Sequence, residues 1–123
     1  MTKTTEPLYR HLFVYGTLKA DHPNSERFGL AGTCECTPGV DLMGYRIYNL
    51  SWFPGIIPGE GVVIGDLFKV PEELFERLDK YEGCPTLYKR ESVCIGSIPD
   101  VQIYVYQGTP LETSFIESGV WKG

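Results

Sequence analysis

The sequence predicts a small α+β domain in which a mostly antiparallel β-sheet curls or closes into a barrel around one main helix. Five to seven runs of β-favouring residues are separated by turn residues, whereas only residues 71–82 have a clear helical pattern. A doubly wound sheet would need helices between its strands, so this order of elements excludes that fold. The 123 residues suit a single domain, with its core at about residues 11–108 and a short C-terminal segment.

The first half of the chain contains three predicted strands, at residues 11–15, 30–37 and 45–50. Gly16-Thr17-Leu18 ends the first strand in a tight turn, and Pro38-Gly39 is the turn predicted after the second. Residues 1–9 are predicted to be a loose start. The polar residues 19–25 are expected to form a loop that leads into a short helical turn at 26–30.

The second half begins with a stretch that the sequence predicts to be irregular. Residues 51–61 contain two prolines and three glycines, a composition that favours a loop over a regular element. Three further strands are predicted, at residues 61–70, 88–95 and 101–106. The last two are expected to be joined by a hairpin loop at 96–100. The tail, residues 113–123, is expected to hold a helical turn or a strand before Trp121.

The helix at residues 71–82 has clear sequence signals at both ends. Pro71 suits the first helical position, and the two acids after it lie at the positive end of the helix dipole. Gly83, with Pro85 just beyond it, ends the helix. The apolar face consists of Leu74, Phe75, Leu78 and Tyr81. Glu82 therefore lies at the negative end of the dipole, where the pKa of a carboxyl rises, and it is a candidate proton carrier.

The overall composition excludes several classes of function. The formal net charge is −5 and no basic run exceeds a single pair, which disfavours nucleic acid as a partner. No apolar run approaches a membrane span and the first residues lack a signal-peptide core, so we expect a cytoplasmic protein that does not contact membranes. The four cysteines (Cys34, Cys36, Cys84 and Cys94) lack the spacing of a zinc site, and we expect free thiols and no metal.

Several motifs, taken together, resemble the γ-glutamylcyclotransferase-like family over about residues 13–106. In chain order these motifs are Phe13-Val14-Tyr15-Gly16-Thr17-Leu18-Lys19, Gly65-Asp66-Leu67-Phe68-Lys69-Val70, Leu78-Asp79 with Glu82-Gly83, and Tyr88-Lys89-Arg90. Residues 48–55 and 116–121 are most similar to the small bacterial members, and the family includes the γ-glutamylamine cyclotransferases. The resemblance implies a small mixed β-barrel with helices at its side.

The resemblance also implies a reaction, in which a γ-glutamyl amide is cleaved to 5-oxoproline and a free amine or amino acid without any cofactor. The family's catalytic glutamate falls on Glu82, and its substrate cradle falls on Tyr15, Gly16, Thr17 and Leu18. One carboxyl near both nitrogens can take a proton from the substrate's α-ammonium and deliver it to the departing amine. The N–H groups of residues 16–18 would hold either the α-carboxylate or the developing oxyanion.

Other residues near Glu82 have two possible roles on sequence grounds. Tyr88 either points its hydroxyl into the site or is a cross-strand core aromatic. Arg90 either binds a substrate carboxylate or pairs with Asp79. Asp79 lies three residues before Glu82 and is the rival base. Tyr15 is expected to form a wall of the site.

Features that bear on specificity lie further from Glu82. Trp52 and Phe53 are expected either to form a lid over the site or to pack on the barrel. Asp66 and Phe68 stand where many relatives have a glutamate and a tyrosine, a departure expected to affect packing or pocket shape. The net negative charge mildly favours a cationic leaving amine such as a polyamine.

The sequence thus predicts a monomeric cyclotransferase-type enzyme that acts on a small molecule, with Glu82 as general acid and base. The first alternative is a protein of the same fold that binds a γ-glutamyl or amide metabolite without turning it over. The second alternative is a thiol enzyme that uses Cys84, which has no histidine beside it in the sequence.

Overall fold

The computed structural model describes residues 8–122, which form five β-strands and two short α-helices. In chain order the elements are β1 (Tyr9–Val14), α1 (Pro23–Arg27), β2 (Glu35–Asn49), β3 (Pro54–Pro71), α2 (Phe75–Tyr81), β4 (Tyr88–Ile95) and β5 (Ile98–Tyr106). Two single turns of 3₁₀ helix, Glu72–Leu74 and Glu112–Ser114, precede α2 and follow β5.

The five strands form one mixed sheet in the order β2-β3-β1-β5-β4. Strands β1 and β5 are parallel, and the other three neighbouring pairs are antiparallel. The sheet curls into a half-barrel. The predicted fold class, a curled and mostly antiparallel sheet with one main helix, is therefore confirmed.

Strand β2 is much longer than predicted, because the expected turn at Pro38-Gly39 is a bulge. The pairing of β2 with β3 shifts register between Thr37 and Val40 and again between Met43 and Tyr45. Gly39 and Gly44 have φ angles of +65° and +87°, which suit glycine at a bulged position. Two bulges thus bend one continuous strand where the sequence predicts two strands and a turn.

The prediction of a loop at residues 51–61 is wrong from Pro54 onward, where β3 begins. Pro54 pairs with Asn49, and Pro58 pairs with Tyr45. Within the described chain, β1 pairs only with residues 66–71 of β3. The first half of β3, which contains Pro54 and Pro58, therefore has one edge without a neighbouring strand. Proline is tolerated at such an edge because its missing N–H is not needed for a ladder there.

Smaller differences affect the turns. The first helix covers Pro23–Arg27 rather than residues 26–30, because Pro23 takes its first turn and the His22 side chain caps it. The β4–β5 hairpin has a two-residue turn, since Ile98 already pairs with Ile95. Residues 1–7, most of the expected loose start, lie outside the described residues. The tail contains a helical turn, one of its two expected alternatives, and Phe115 forms a single bridge to Tyr48.

The predicted main helix is confirmed over Phe75–Tyr81, with Glu82 immediately after its last residue. Its predicted first turn is the 3₁₀ turn Glu72–Leu74, and Pro71, expected at the first helical position, is extended and pairs with Tyr9 at the end of β3. Gly83 has a φ angle of +70° and ends the helix. Phe75 and Leu78 are buried as expected, whereas Tyr81 is 39% exposed. Among residues 8–122 no helix is long and apolar enough to span a membrane.

The two faces of the sheet bury two separate apolar clusters. On β1, Phe13 faces one cluster, while Leu12 and Val14 face the other. The second cluster includes Phe75 and Leu78 and therefore fixes α2 on the sheet. As a result, the end of β1 and the end of α2 meet at the same side of the molecule.

Candidate active site

A cavity of about 390 Å³ lies where β1 and α2 end. Its lining comes from residues 13–18, 22, 24, 52–54, 81, 82, 87, 88 and 104. The structure thus brings Glu82, Tyr88 and the whole predicted cradle to one cavity. Most of the wall is apolar or aromatic, which is typical of a small-molecule site.

The cradle, Tyr15 to Leu18, is a rigid turn with unused hydrogen-bond donors. Gly16 packs so closely on Pro54 that a Cβ atom would lie 2.6 Å from the proline ring. The buried Tyr15 hydroxyl donates to the carbonyl of Tyr104 at 2.5 Å, so Tyr15 is a wall of the cavity. None of the N–H groups of residues 16–18 donates to an acceptor within residues 8–122. These free N–H groups are suited to an anionic group.

Glu82 places a carboxyl without a partner at the cavity. Its backbone N–H donates to the Leu78 carbonyl at 2.9 Å, which holds the residue at the helix end. Across the described part of the chain, its carboxylate has neither a hydrogen-bond donor nor an ion-pair partner. Burial, together with the nearby negative charge of Asp79, raises the pKa of Glu82 from 4.5 to about 8. Such a carboxyl can exchange a proton near neutral pH.

Asp79, one helical turn earlier, has one hydrogen-bond donor and one ion-pair partner. Its Oδ1 accepts a hydrogen bond from the Tyr104 hydroxyl at 2.7 Å and lies 3.4 Å from Arg90 Nε. The Arg90 guanidinium also lies over the Phe75 ring, with its carbon 4.6 Å from the ring centroid. Arg90 does not line the cavity. Of its two possible roles, the structure places it in the pair with Asp79.

Tyr88 lines the cavity, but its hydroxyl is already used. It donates to the carbonyl of Pro54 at 2.5 Å and so ties β4 to the start of β3. Burial raises its pKa well above the ordinary value for tyrosine, which makes the phenolate unfavourable. Tyr88 therefore offers the cavity its ring, on which Phe53 also packs.

The tight turn between β2 and β3 forms the cavity rim. The Leu50 N–H donates to the Phe53 carbonyl at 2.9 Å, and Ser51 takes a φ angle of +90°. Trp52 lines the cavity and is 86% exposed, while Phe53 is partly buried. The rim therefore offers an aromatic surface to whatever enters the cavity.

Three further residues singled out from the sequence lie outside the lining of the cavity. Burial raises the pKa of Cys84 to about 11, which keeps its thiol protonated and disfavours the thiol enzyme. Asp66 Oδ2 accepts from the Ala20 N–H at 2.8 Å, and Phe68 is fully buried beneath α2. Both departures from the family pattern thus affect packing and loop structure, and neither shapes the cavity wall directly.

Sequence reasoning missed five residues that line the cavity: His22, Asn24, Tyr81, Leu87 and Tyr104. Asn24 and Tyr81 are hydrogen-bonded to each other, although 57 positions separate them. Tyr104 comes from a strand whose register only the folded sheet defines. The position of Tyr81 directly before Glu82 is the one local signal that could have identified a member of this group.

Within residues 8–122, no three histidine, cysteine, aspartate or glutamate side chains come together as metal ligands would. What the cavity itself offers is the backbone N–H groups of residues 16–18 next to a carboxyl whose pKa is raised.

Fold and cavity together define a small half-barrel protein whose ligand site combines an N–H cradle with one titrating carboxyl. The family model "Gamma-glutamyl cyclotransferase, AIG2-like" matches residues 12–123. The chain therefore belongs to the γ-glutamylcyclotransferase family of AIG2-like proteins, as its motifs predict. This membership supports the prediction of a cyclotransferase-type enzyme.

Individual relatives agree with this assignment. A Vibrio cholerae protein is 34% identical over 116 residues, with 91% of this chain and 96% of the relative covered. The γ-glutamylaminecyclotransferase of Rattus norvegicus is 34% identical over 114 residues, covering 78% of this chain and 76% of the relative. The solution structure of the YtfP protein of Escherichia coli superposes with a TM-score of 0.71 at 27% identity, covering 90% and 95% of the two chains.

Proposed function

We propose that this protein converts a γ-glutamyl amide into 5-oxoproline and a free amine, with Glu82 as general base and then general acid. The observation that carries the proposal is the location of Glu82. A carboxyl without a partner, with its pKa raised to about 8, lines the same cavity as three free N–H groups. A protein that only binds its ligand would not need a buried carboxyl without a partner, because such a group destabilises the fold.

In the first step, the ionised Glu82 takes a proton from the α-ammonium of the substrate. The neutral nitrogen attacks the γ-carbonyl carbon, a C–N bond closes the five-membered ring, and negative charge develops on the carbonyl oxygen. Because nucleophile and carbonyl belong to one molecule, binding the folded conformation supplies much of the rate acceleration.

In the second step, the tetrahedral intermediate collapses and the original amide C–N bond breaks. The departing nitrogen takes the proton from Glu82, and Glu82 then passes the second proton of the ring nitrogen to the same departing nitrogen. The amine therefore leaves as an ammonium ion, the ring nitrogen keeps one proton, and Glu82 returns to its ionised state. The N–H groups of Gly16, Thr17 and Leu18 bind anionic oxygen of the substrate during this sequence. Atoms and charge balance without an external reagent.

The cavity also limits how the substrate is held. None of its lining residues among those described is a lysine or arginine, so hydrogen-bond donors must bind the α-carboxylate. The leaving amine would extend toward the aromatic rim at Trp52. The rat relative is named for γ-glutamylamines, and we propose that this chain acts on small γ-glutamyl compounds of that kind, as a monomer in the cytoplasm.

The test is 5-oxoproline release from a panel of γ-glutamyl amines and γ-glutamyl amino acids, scored by chromatography. Glu82→Gln should abolish release. The matched control is Glu76→Gln, which removes an exposed carboxyl from the same helix and should retain full activity. An active Glu82→Gln variant would overturn the role of Glu82. Tight binding of a panel member without release would instead favour the non-catalytic binding protein.

A further inference from the structure

Four polar residues form a hydrogen-bonded series that ends at the cavity wall. Arg27 Nη1 donates to Asn24 Oδ1 at 3.2 Å. Asn24 Nδ2 lies 2.7 Å from the Tyr81 hydroxyl, which lies 2.7 Å from Thr17 Oγ1. The series, which we call the donor chain, joins α1, the end of α2 and the cradle. Thr17, Asn24 and Tyr81 all line the cavity.

The amide of Asn24 fixes the direction of the first two hydrogen bonds of the donor chain. Arginine has only donors, so the carbonyl of Asn24 faces Arg27 and its NH₂ group faces Tyr81. The Tyr81 oxygen accepts from that NH₂ group, and the same direction continues along the chain when the Tyr81 hydroxyl donates to Thr17 Oγ1, one of the two directions that the 2.7 Å distance allows. The Thr17 proton is then left for another acceptor, and no residue in the described range accepts it.

We propose that the donor chain orients the Thr17 hydroxyl as a hydrogen-bond donor to an anionic oxygen of the substrate, with Tyr81 and Asn24 as positioning residues. The inference rests on the proposed function, which supplies that oxygen as the α-carboxylate or the developing oxyanion. Thr17 would then add a side-chain donor to the backbone N–H groups beside it.

Two properties of the site strengthen this assignment. The cavity has no lysine or arginine in its described lining, so each properly directed donor matters for anion binding. The donor chain begins at the guanidinium of Arg27, and hydrogen bonds in series polarise one another. Tyr81 also directly precedes Glu82, so the same helix end holds both the proton carrier and the support of the donor.

The first test removes only the hydroxyl of Thr17. Thr17→Val keeps the shape of the side chain and should lower kcat/KM about 10- to 100-fold, the usual effect of losing a hydrogen bond to a charged group. Thr17→Ser keeps the hydroxyl and should stay within about threefold of the wild type. A higher KM together with weaker inhibition by 5-oxoproline would identify the α-carboxylate as the acceptor. A lower kcat would identify the oxyanion as the acceptor. Wild-type activity in Thr17→Val would overturn the proposal.

A double-mutant cycle tests whether Tyr81 acts through Thr17. Tyr81→Phe alone should lower kcat/KM about 10-fold, but it should have little further effect when Thr17 is already valine. Additive losses would mean that Tyr81 supports the fold or the site independently, and they would overturn its positioning role. Thermal unfolding of each variant identifies any loss that comes from misfolding.

Asn24→Asp tests the direction of the donor chain. An aspartate at this position accepts from Tyr81, which then accepts from Thr17, so that Thr17 presents a lone pair to the substrate. We expect a loss at least as large as that of Tyr81→Phe. This loss of kcat/KM should persist at about 0.5 M NaCl, where long-range repulsion between the added negative charge and the substrate is screened. Full activity of Asn24→Asp would overturn the proposal. A wild type that releases no 5-oxoproline would overturn the proposed function itself, which separates the two failures.

Discussion

The unpaired carboxyl of Glu82 should make the protein less stable as the pH rises. Its pKa is about 8 in the folded protein against 4.5 ordinarily, so the unfolded chain loses this proton first. Between these two values, the unfolded state is stabilised relative to the folded state. The destabilisation is absent well below pH 4.5, grows up to about pH 8 and is constant above it.

The magnitude follows from the gap between the two pKa values. At about 1.4 kcal/mol for each pH unit, the full effect is about 5 kcal/mol, and the part developed at pH 7 is about 3 kcal/mol. Small domains are typically stable by about 5–15 kcal/mol, so this is a large fraction of the total. Glu82→Gln, which cannot ionise, should therefore be more stable than the wild type at neutral pH.

The assay is urea unfolding of the wild type and of Glu82→Gln between about pH 5 and pH 8.5. The variant should exceed the wild type by less than about 1 kcal/mol at the lower pH and by about 4.5 kcal/mol at the higher one. Glu76→Gln controls for the loss of one negative charge on the same helix. A stability difference between wild type and Glu82→Gln that is constant with pH would refute the reasoning, because Glu82 would then titrate alike in both states.

Three further predictions concern activity and the cradle. Because the first step needs ionised Glu82, kcat/KM should rise with pH through about 8, by about 50-fold between pH 6 and pH 8; a flat profile would contradict this. Asp79→Asn should move that rise to lower pH, since the Asp79 charge raises the Glu82 pKa; an unmoved profile would exclude that coupling. Gly16→Ala should lower both activity and melting temperature, because a Cβ atom would lie 2.6 Å from the Pro54 ring; an unaffected variant would show that the cradle can move.

The sequence was sufficient to predict the elements whose signals are local. The main helix and the 3₁₀ turn before it lie between a proline and a glycine and have an apolar face, so their position and that of Glu82 follow from short-range rules. The β4–β5 hairpin is likewise made by neighbours in the chain, and only its turn was predicted too long.

Predictions failed where the outcome depends on distant parts of the chain. Pro54 and Pro58 predict a loop, yet they lie in a strand because β2 pairs with them and β1 leaves their other edge open. Part of the cavity lining likewise cannot be predicted from the sequence. Asn24 meets Tyr81 only after the loop beyond β1 has folded against the end of α2.

The contrast between Asp79 and Glu82 is the most direct argument that the two acids have different roles, Asp79 as a paired structural group and Glu82 as the proposed proton carrier. The two acids lie one helical turn apart, but Asp79 accepts a hydrogen bond from Tyr104 and pairs with Arg90, whereas Glu82 has no partner among residues 8–122. Providing Glu82 with a similar donor would lower its pKa, stabilise the fold and remove its proton from use near neutral pH. The missing partner is therefore what the proposed acid–base role requires at this position, and the loss of stability with rising pH should be its measurable consequence.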